Sequence, residues 1–134
     1  VAVGDRVACA GAGHANHAEV AAIPGNLFVP VPPGVADEDA AYVTLGAIAM
    51  HAVRNLGPGL GDVVAVLGAG LLGQLAVRFM ALSGSRVLAL DYNPDRLELA
   101  RRMGAEAVFN LADGGLEEAV AALTGGRGCD GTWR

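Results

Sequence analysis

The sequence predicts an α/β fold built on a doubly wound parallel sheet, and three observations carry that prediction. The run Val63-Val64-Ala65-Val66-Leu67 is continuously apolar and β-branched, the pattern of a strand covered on both faces. A glycine-rich turn and an amphipathic stretch from Leu71 to Leu82 follow it directly. From Gly61 onward, strand and helix patterns then alternate at the short spacing of βα units.

Each element follows from local chemistry. Val1 to Val31 reads as short strands cut by glycine and proline, with GDRV and AEVAAI as the pairing segments and Gly11, Gly13, Pro24 and Gly25 as turns. A proline-rich bend from Pro30 to Gly34 leads to Asp37, an expected helix N-cap before an alanine-rich run ending near Asn55, Leu56 and Gly57. That helix is expected to join two domains. After strand 63–67, a helix over Leu71 to Leu82 is closed by Ser83 and Gly84, and Arg86 to Leu90 form a second strand. Asn93 is placed to cap the next helix, with Pro94 in its first turn and Gly104 where it stops. Ala107 to Phe109 is a third strand and Leu116 to Leu123 a further helix. The sequence opens on Val1 without the pattern of a signal peptide and stops at Gly131-Thr132-Trp133-Arg134, where a strand should begin; it reads as a piece of a longer protein.

Composition narrows the function classes. With 134 residues, 53% hydrophobic and 17% charged, the chain can bury one ordinary core and is too apolar for a disordered tail. Its net charge is −5 and its basic residues, all arginines, are scattered, which argues against nucleic acid as a partner. The most apolar stretch, Val63 to Val77, is interrupted by glycines and Gln74 and meets Arg78, too short a span for a bilayer. Cys9 and Cys129 form no CxxC pair, so they read as idle thiols in a reducing cytoplasm.

The chemistry concentrates at Gly68-Ala69-Gly70-Leu71-Leu72-Gly73, a GxGxxG turn between a buried strand and a helix. Gly68 permits the tight turn, Gly70 leaves room for a pyrophosphate, and Gly73 lets the helix pack closely against the strand. The N–H groups and positive dipole end of the helix then face the phosphates, so Leu71 and Leu72 join the expected site through their backbone. Asp91 ends the second strand close to the expected distance of about 20 residues after the turn, where a carboxylate accepts hydrogen bonds from the adenosine ribose. These are the marks of a Rossmann dinucleotide site. A carboxylate repels a 2′-phosphate, which favours NAD over NADP, although Arg96 would reach a phosphate if its loop turned towards it. Tyr92 completes the expected cofactor-binding set.

Elsewhere the polar residues are less telling. His14, His17 and Glu19 have no common zinc spacing and read as surface or substrate-facing groups, so no metal site is expected from them. Neither Ser83 nor Ser85 sits in a nucleophile elbow. Tyr42, Thr44 and His51 are the polar groups of the joining helix available to face a nicotinamide; Thr44 and His51 are the catalytic candidates, with a satisfied, partly buried histidine the default reading of His51.

Over essentially its whole length the chain resembles the medium-chain dehydrogenases/reductases, the superfamily of zinc-type alcohol dehydrogenases and quinone reductases. GDRV resembles the family's barrel, PVPPGVADEDAAYVTLGAIAMHAVR its interdomain helix, and VVAVLGAGLLGQLAVRFMALSGSRVLALD its nucleotide-binding half, followed by the A-x-x-x-G-A ending at Ala100 to Ala105. The resemblance implies that residues 1–44 are a fragment of a GroES-like catalytic domain with the start of the interdomain helix, and residues 45–134 the N-terminal half of the NAD-binding domain. It further implies a hydride transfer between NAD(H) and an alcohol, polyol or sugar carbonyl, in the cytoplasm, in a protein that forms homo-oligomers. Val43, 25 positions before Gly68, stands where zinc-dependent members carry a ligand, usually cysteine, and the cysteine-rich structural lobe is absent after Ala8-Cys9-Ala10-Gly11. Both departures put zinc in doubt and point to the zinc-free members, in which hydrogen-bond donors polarise the carbonyl. AGAGHANHAEV and YVTLGAIAMHAVR also resemble bi-domain oxidoreductases of polysaccharide biosynthesis. Two other readings stay open: an NADPH-dependent quinone or enoyl reductase, and a non-catalytic nucleotide-sensing domain.

Overall fold

The computed structural model describes residues 1–134, which form two compact units, Val1–Ala47 and Ile48–Arg134. In the first, β1 (Val7–Cys9) pairs antiparallel with β2 (Phe28–Pro30), Val7 opposite Pro30 and Cys9 opposite Phe28. Only Val7 of the GDRV segment lies in a strand, and AEVAAI, residues 18–23, forms none. The expected partner is displaced because the chain turns later: Leu27 N–H bonds the Pro24 carbonyl at 2.9 Å, and Ala10 N–H bonds the Leu27 carbonyl at 2.8 Å. That turn brings the aromatic and β-branched pair Phe28 and Val29 alongside β1, a better fit to a pleated surface than the alanines of residues 18–23.

The alanine-rich run is two helices, α1 (Asp37–Ala40) and α2 (Val43–Leu56). Their hydrogen-bond ladders do not join: Tyr42 N–H bonds Asp39 in a tight i→i+3 closure, and Gly46 N–H bonding Tyr42 starts the second ladder. Asp37 is not the N-cap. Ala36 holds that position, and the Asp37 carboxylate pairs with Arg6, whose Nε lies 2.9 Å away and whose Nη2 also donates to the Val35 carbonyl at 2.8 Å. An acid occupied by a guanidinium in this way leaves the helix end without a side-chain cap.

The second unit carries the expected alternation: β3 (Val63–Leu67), α3 (Leu71–Leu82), β4 (Arg86–Asp91), α4 (Pro94–Met103), β5 (Ala107–Asn110), α5 (Leu116–Thr124) and β6 (Gly131–Trp133). The four strands lie in the order β5-β4-β3-β6, and all pairings are parallel. The chain therefore winds outward from β3 to β5, then crosses back through α5 to the other side of β3. Winding reverses between β3 and β6, the place in such sheets where ligands bind outside the strands' carboxyl ends.

Both sheet faces are covered, which explains the unbroken apolar strands. Val64, Val66, Val87 and Ala89 pack with Ala76, Val77 and Met80 of α3 and Ala100 of α4. Ala65, Leu88 and Leu90 point the opposite way, towards Leu116, Val120 and Leu123 of α5. The α4 boundaries follow from its caps: Asn93 Oδ1 accepts from Asp95 N at 2.8 Å, and Gly104 ends the helix at φ +112°, with Ala105 N–H returning to Ala100 O at 2.9 Å. No helix is long and apolar enough to cross a membrane. Cys9 and Cys129 are free thiols, and burial pushes the Cys129 thiol up, with Asp130 adding to the shift.

Candidate functional site

The turn Gly68 to Gly73 leaves β3 at the winding reversal, and its three glycines meet three different surroundings. Gly68 has φ +92°, a conformation that an L side chain resists. Gly73 faces the strand end: a methyl there would lie 2.0 Å from the Gly68 carbonyl oxygen. Gly70 is different again, because a methyl at that position would meet no atom within 4 Å. Neither packing nor backbone strain requires glycine at Gly70; the space it faces is open.

That space lies at the N-terminus of α3. Gly70 is the N-cap and supplies no side-chain cap, and the first ladder bond runs from Gln74 N–H to Gly70 O at 2.8 Å. The N–H groups of Leu71, Leu72 and Gly73 precede that bond, so they have no acceptor within the helix. Leu71 is exposed and Leu72 half-buried. Together the donors and the helix dipole suit an anion of diphosphate size.

Asp91, at the end of β4, is 8% exposed and is bound to this turn. Its Oδ2 accepts from Ala69 N–H at 2.8 Å and its Oδ1 from Asn93 N–H at 2.8 Å, while Arg96 Nη1 stands 3.7 Å from Oδ2. Burial pushes its pKa up, but the Asn93 and Ala69 N–H groups, with Arg96, outweigh it and hold the carboxyl below the usual carboxylate range. The group is therefore ionised at neutral pH, and each oxygen retains a further lone pair. Tyr92 is exposed, and the Arg96 side chain is 56% exposed at the site's rim. The residues present thus fit a dinucleotide's diphosphate and an adjacent sugar diol.

Sequence reasoning missed Gln74. Its side-chain amide donates to Ala69 O at 2.9 Å and to Arg96 O at 2.8 Å, joining the turn to the start of α4. The available signal was a lone amide inside an otherwise apolar helix stretch, which the sequence alone shows only as an interruption.

Thr44 lines an apolar pocket with Leu27, Phe28 and Val29. His51 is exposed, contrary to the buried default, and its Nε2 lies 3.0 Å from Asn55 Nδ2, one helical turn away on the solvent side of α2. The buried side of that helix carries Ala49 and Val53, so His51 falls outside it. His14, His17 and Glu19 are exposed. No three His, Cys, Asp or Glu side chains come together as a group that could hold a metal ion.

Residues 72–133 match the family model described as zinc-binding dehydrogenase. An alcohol dehydrogenase of Cupriavidus necator is 35% identical over 105 residues, covering 77% of this chain and 29% of that protein. An erythritol/L-threitol dehydrogenase of Mycolicibacterium smegmatis is 36% identical over 101 residues, covering 75% of this chain and 28% of its own length. Among solved structures, a protein named as a short chain alcohol dehydrogenase of Escherichia coli CFT073, complexed with NADH, superposes with a TM-score of 0.70 at 28% identity, over 75% of this chain and 31% of that one. The chain thus spans less than a third of the length of each of these proteins. The parallel four-stranded sheet, a family model over α3 to β6 and the two dehydrogenase relatives agree with the resemblance: the chain belongs to the medium-chain dehydrogenase/reductase superfamily.

Proposed function

We propose that the intact protein carrying this chain is an oxidoreductase that moves a hydride between NAD(H) and an alcohol, polyol or sugar carbonyl. One observation carries the reading: an uncapped helix N-terminus opens onto empty space over Gly70 at the winding reversal, with an ionised, half-satisfied acid on the neighbouring strand. The relatives named above support alcohol and polyol substrates.

In this reading Gly68 and Gly70 keep the diphosphate's place clear, and the N–H groups of Leu71, Leu72 and Gly73 bind it. Asp91 accepts from the ribose hydroxyls with its remaining lone pairs, and Tyr92 and Arg96 border the adenosine side. When bound, the nicotinamide supplies the carbon that gives or takes the hydride. Residues 1–44 are assigned to the barrel domain and 45–134 to the nucleotide-binding domain, with Thr44 and His51 as the candidates for the substrate side. No step is routed through a metal.

The choice of NAD rests on Asp91 alone. A second reading, an NADPH-dependent reductase, draws on Arg96, whose mostly exposed guanidinium stands beside that carboxylate. The NADH to NADPH affinity ratio of the intact protein separates them. Wild type should prefer NADH; Asp91→Ser should weaken NADH by about tenfold or more, for lost charge-assisted hydrogen bonds, and weaken NADPH far less, since Arg96 is then free to meet a phosphate. A wild type that prefers NADPH would establish the second reading.

A further inference from the structure

Gln74 is 4% exposed, and both hydrogens of its amide are used on carbonyls, Ala69 O at 2.9 Å and Arg96 O at 2.8 Å. Carbonyl oxygens only accept, so the NH2 must face them and the amide's orientation is fixed. Its Oε1 is buried and accepts nothing from the protein. An unpaired buried acceptor is unfavourable, and a methionine of similar length would fill the same space without it. What glutamine adds here is the pair of donors.

Those donors join two segments with different tasks. Ala69 lies in the middle of the glycine turn, and Arg96 is in the first turn of α4, directly after the short connection, Tyr92 and Asn93, that follows Asp91 at the end of β4. The turn is also tied to the end of β4, by Gly68 N–H to Leu90 O at 2.8 Å and by Ala69 N–H to Asp91. The second of these ties runs through the carboxylate that the sugar must share. Gln74 makes the connection to α4 without using any ligand-facing group.

Resting on the dinucleotide reading above, we propose that Gln74 is a positioning residue that holds the phosphate-facing turn and the start of α4, beside the sugar-facing end of β4, at a fixed separation. The affinity for a ligand spanning both, an ADP-ribose unit, depends on it, although the buried side chain touches no ligand. Ligands that occupy only one half gain nothing from that separation.

The test uses the intact protein, wild type and Gln74→Met, with NADH, ADP-ribose, AMP and inorganic pyrophosphate as probes and thermal melting in parallel. The variant should bind NADH and ADP-ribose about tenfold more weakly, the loss expected for two hydrogen bonds' worth of positioning, while AMP and pyrophosphate bind as before. Unchanged NADH affinity in a folded variant, or an equal loss for the half-ligands, overturns the proposal. A wild type that binds no NADH overturns the dinucleotide reading itself. If Gln74→Met does not fold, Gln74→Glu decides: its carboxyl donates one hydrogen bond only when protonated, and burial raises its pKa. NADH affinity of that variant should then rise as pH falls, relative to wild type, and a parallel pH profile counts against the proposal.

Discussion

Gly73→Ala should destabilise the Ile48–Arg134 unit more than any other single added methyl group at the site. The new Cβ would stand 2.0 Å from the Gly68 carbonyl oxygen and 3.0 Å from its carbon, with Val66 Cγ1 at 3.7 Å beyond. The two nearest atoms are backbone, and they belong to the residue whose left-handed conformation makes the turn. Nothing flexible can give way, so either α3 lifts from β3 or the turn opens. Overpacking a core costs about 1–3 kcal/mol where side chains can adjust, and a backbone clash belongs at the upper end of that range or above it. A loss of about 3 kcal/mol lowers the melting temperature of a small domain by about 10 °C or more. Thermal unfolding followed by circular dichroism checks this; melting within error of wild type would mean that helix and strand are not in contact there.

Gly70→Val should do the opposite: leave folding alone and remove binding. Gly70 sits at φ −72° and ψ −168°, extended backbone that a β-branched residue adopts readily. Even a methyl there would meet no protein atom within 4 Å, so the isopropyl group projects into open space. That space is the approach to the N–H groups of α3. Blocking it should weaken NADH by about a hundredfold, as displacing a diphosphate by an ångström or so does, with melting unchanged. Isothermal titration with a parallel melt checks both halves. The two glycines are three residues apart and the same in the sequence, yet packing requires one, and under the proposed reading only a ligand requires the other. If Gly70→Val binds NADH normally, the open space is not the diphosphate's place.

These contrasts show what a single sequence reveals of such a site and what it hides. The βα alternation was legible because Val63 to Leu67 and Arg86 to Leu90 are apolar on both faces and because Asn93, Pro94 and Gly104 punctuate α4 by local chemistry. Glycine spacing and the acid at Asp91 were legible for the same reason: backbone geometry imposes them within a short stretch of chain. The first 47 residues were read less well. Partner choice for β1 depended on where the chain turned, at Pro24 to Leu27, and not on which segment was apolar. Asp37 has the look of a cap because its neighbours resemble a helix start, but Arg6, 31 residues earlier, takes its carboxylate. Gln74 escaped notice because both its partners are backbone carbonyls, one of them 22 residues away, and no residue type announces a carbonyl.

The central claim is that this turn binds a dinucleotide whose adenosine ribose carries no 2′-phosphate. Titrating the intact protein with NADH and following nicotinamide fluorescence, with ADP-ribose as competitor, tests it most directly. Saturable NADH binding that ADP-ribose displaces, and that NADPH matches only at higher concentration, is the expected result. Absence of any NADH-dependent signal, or tighter binding of NADPH, would contradict it.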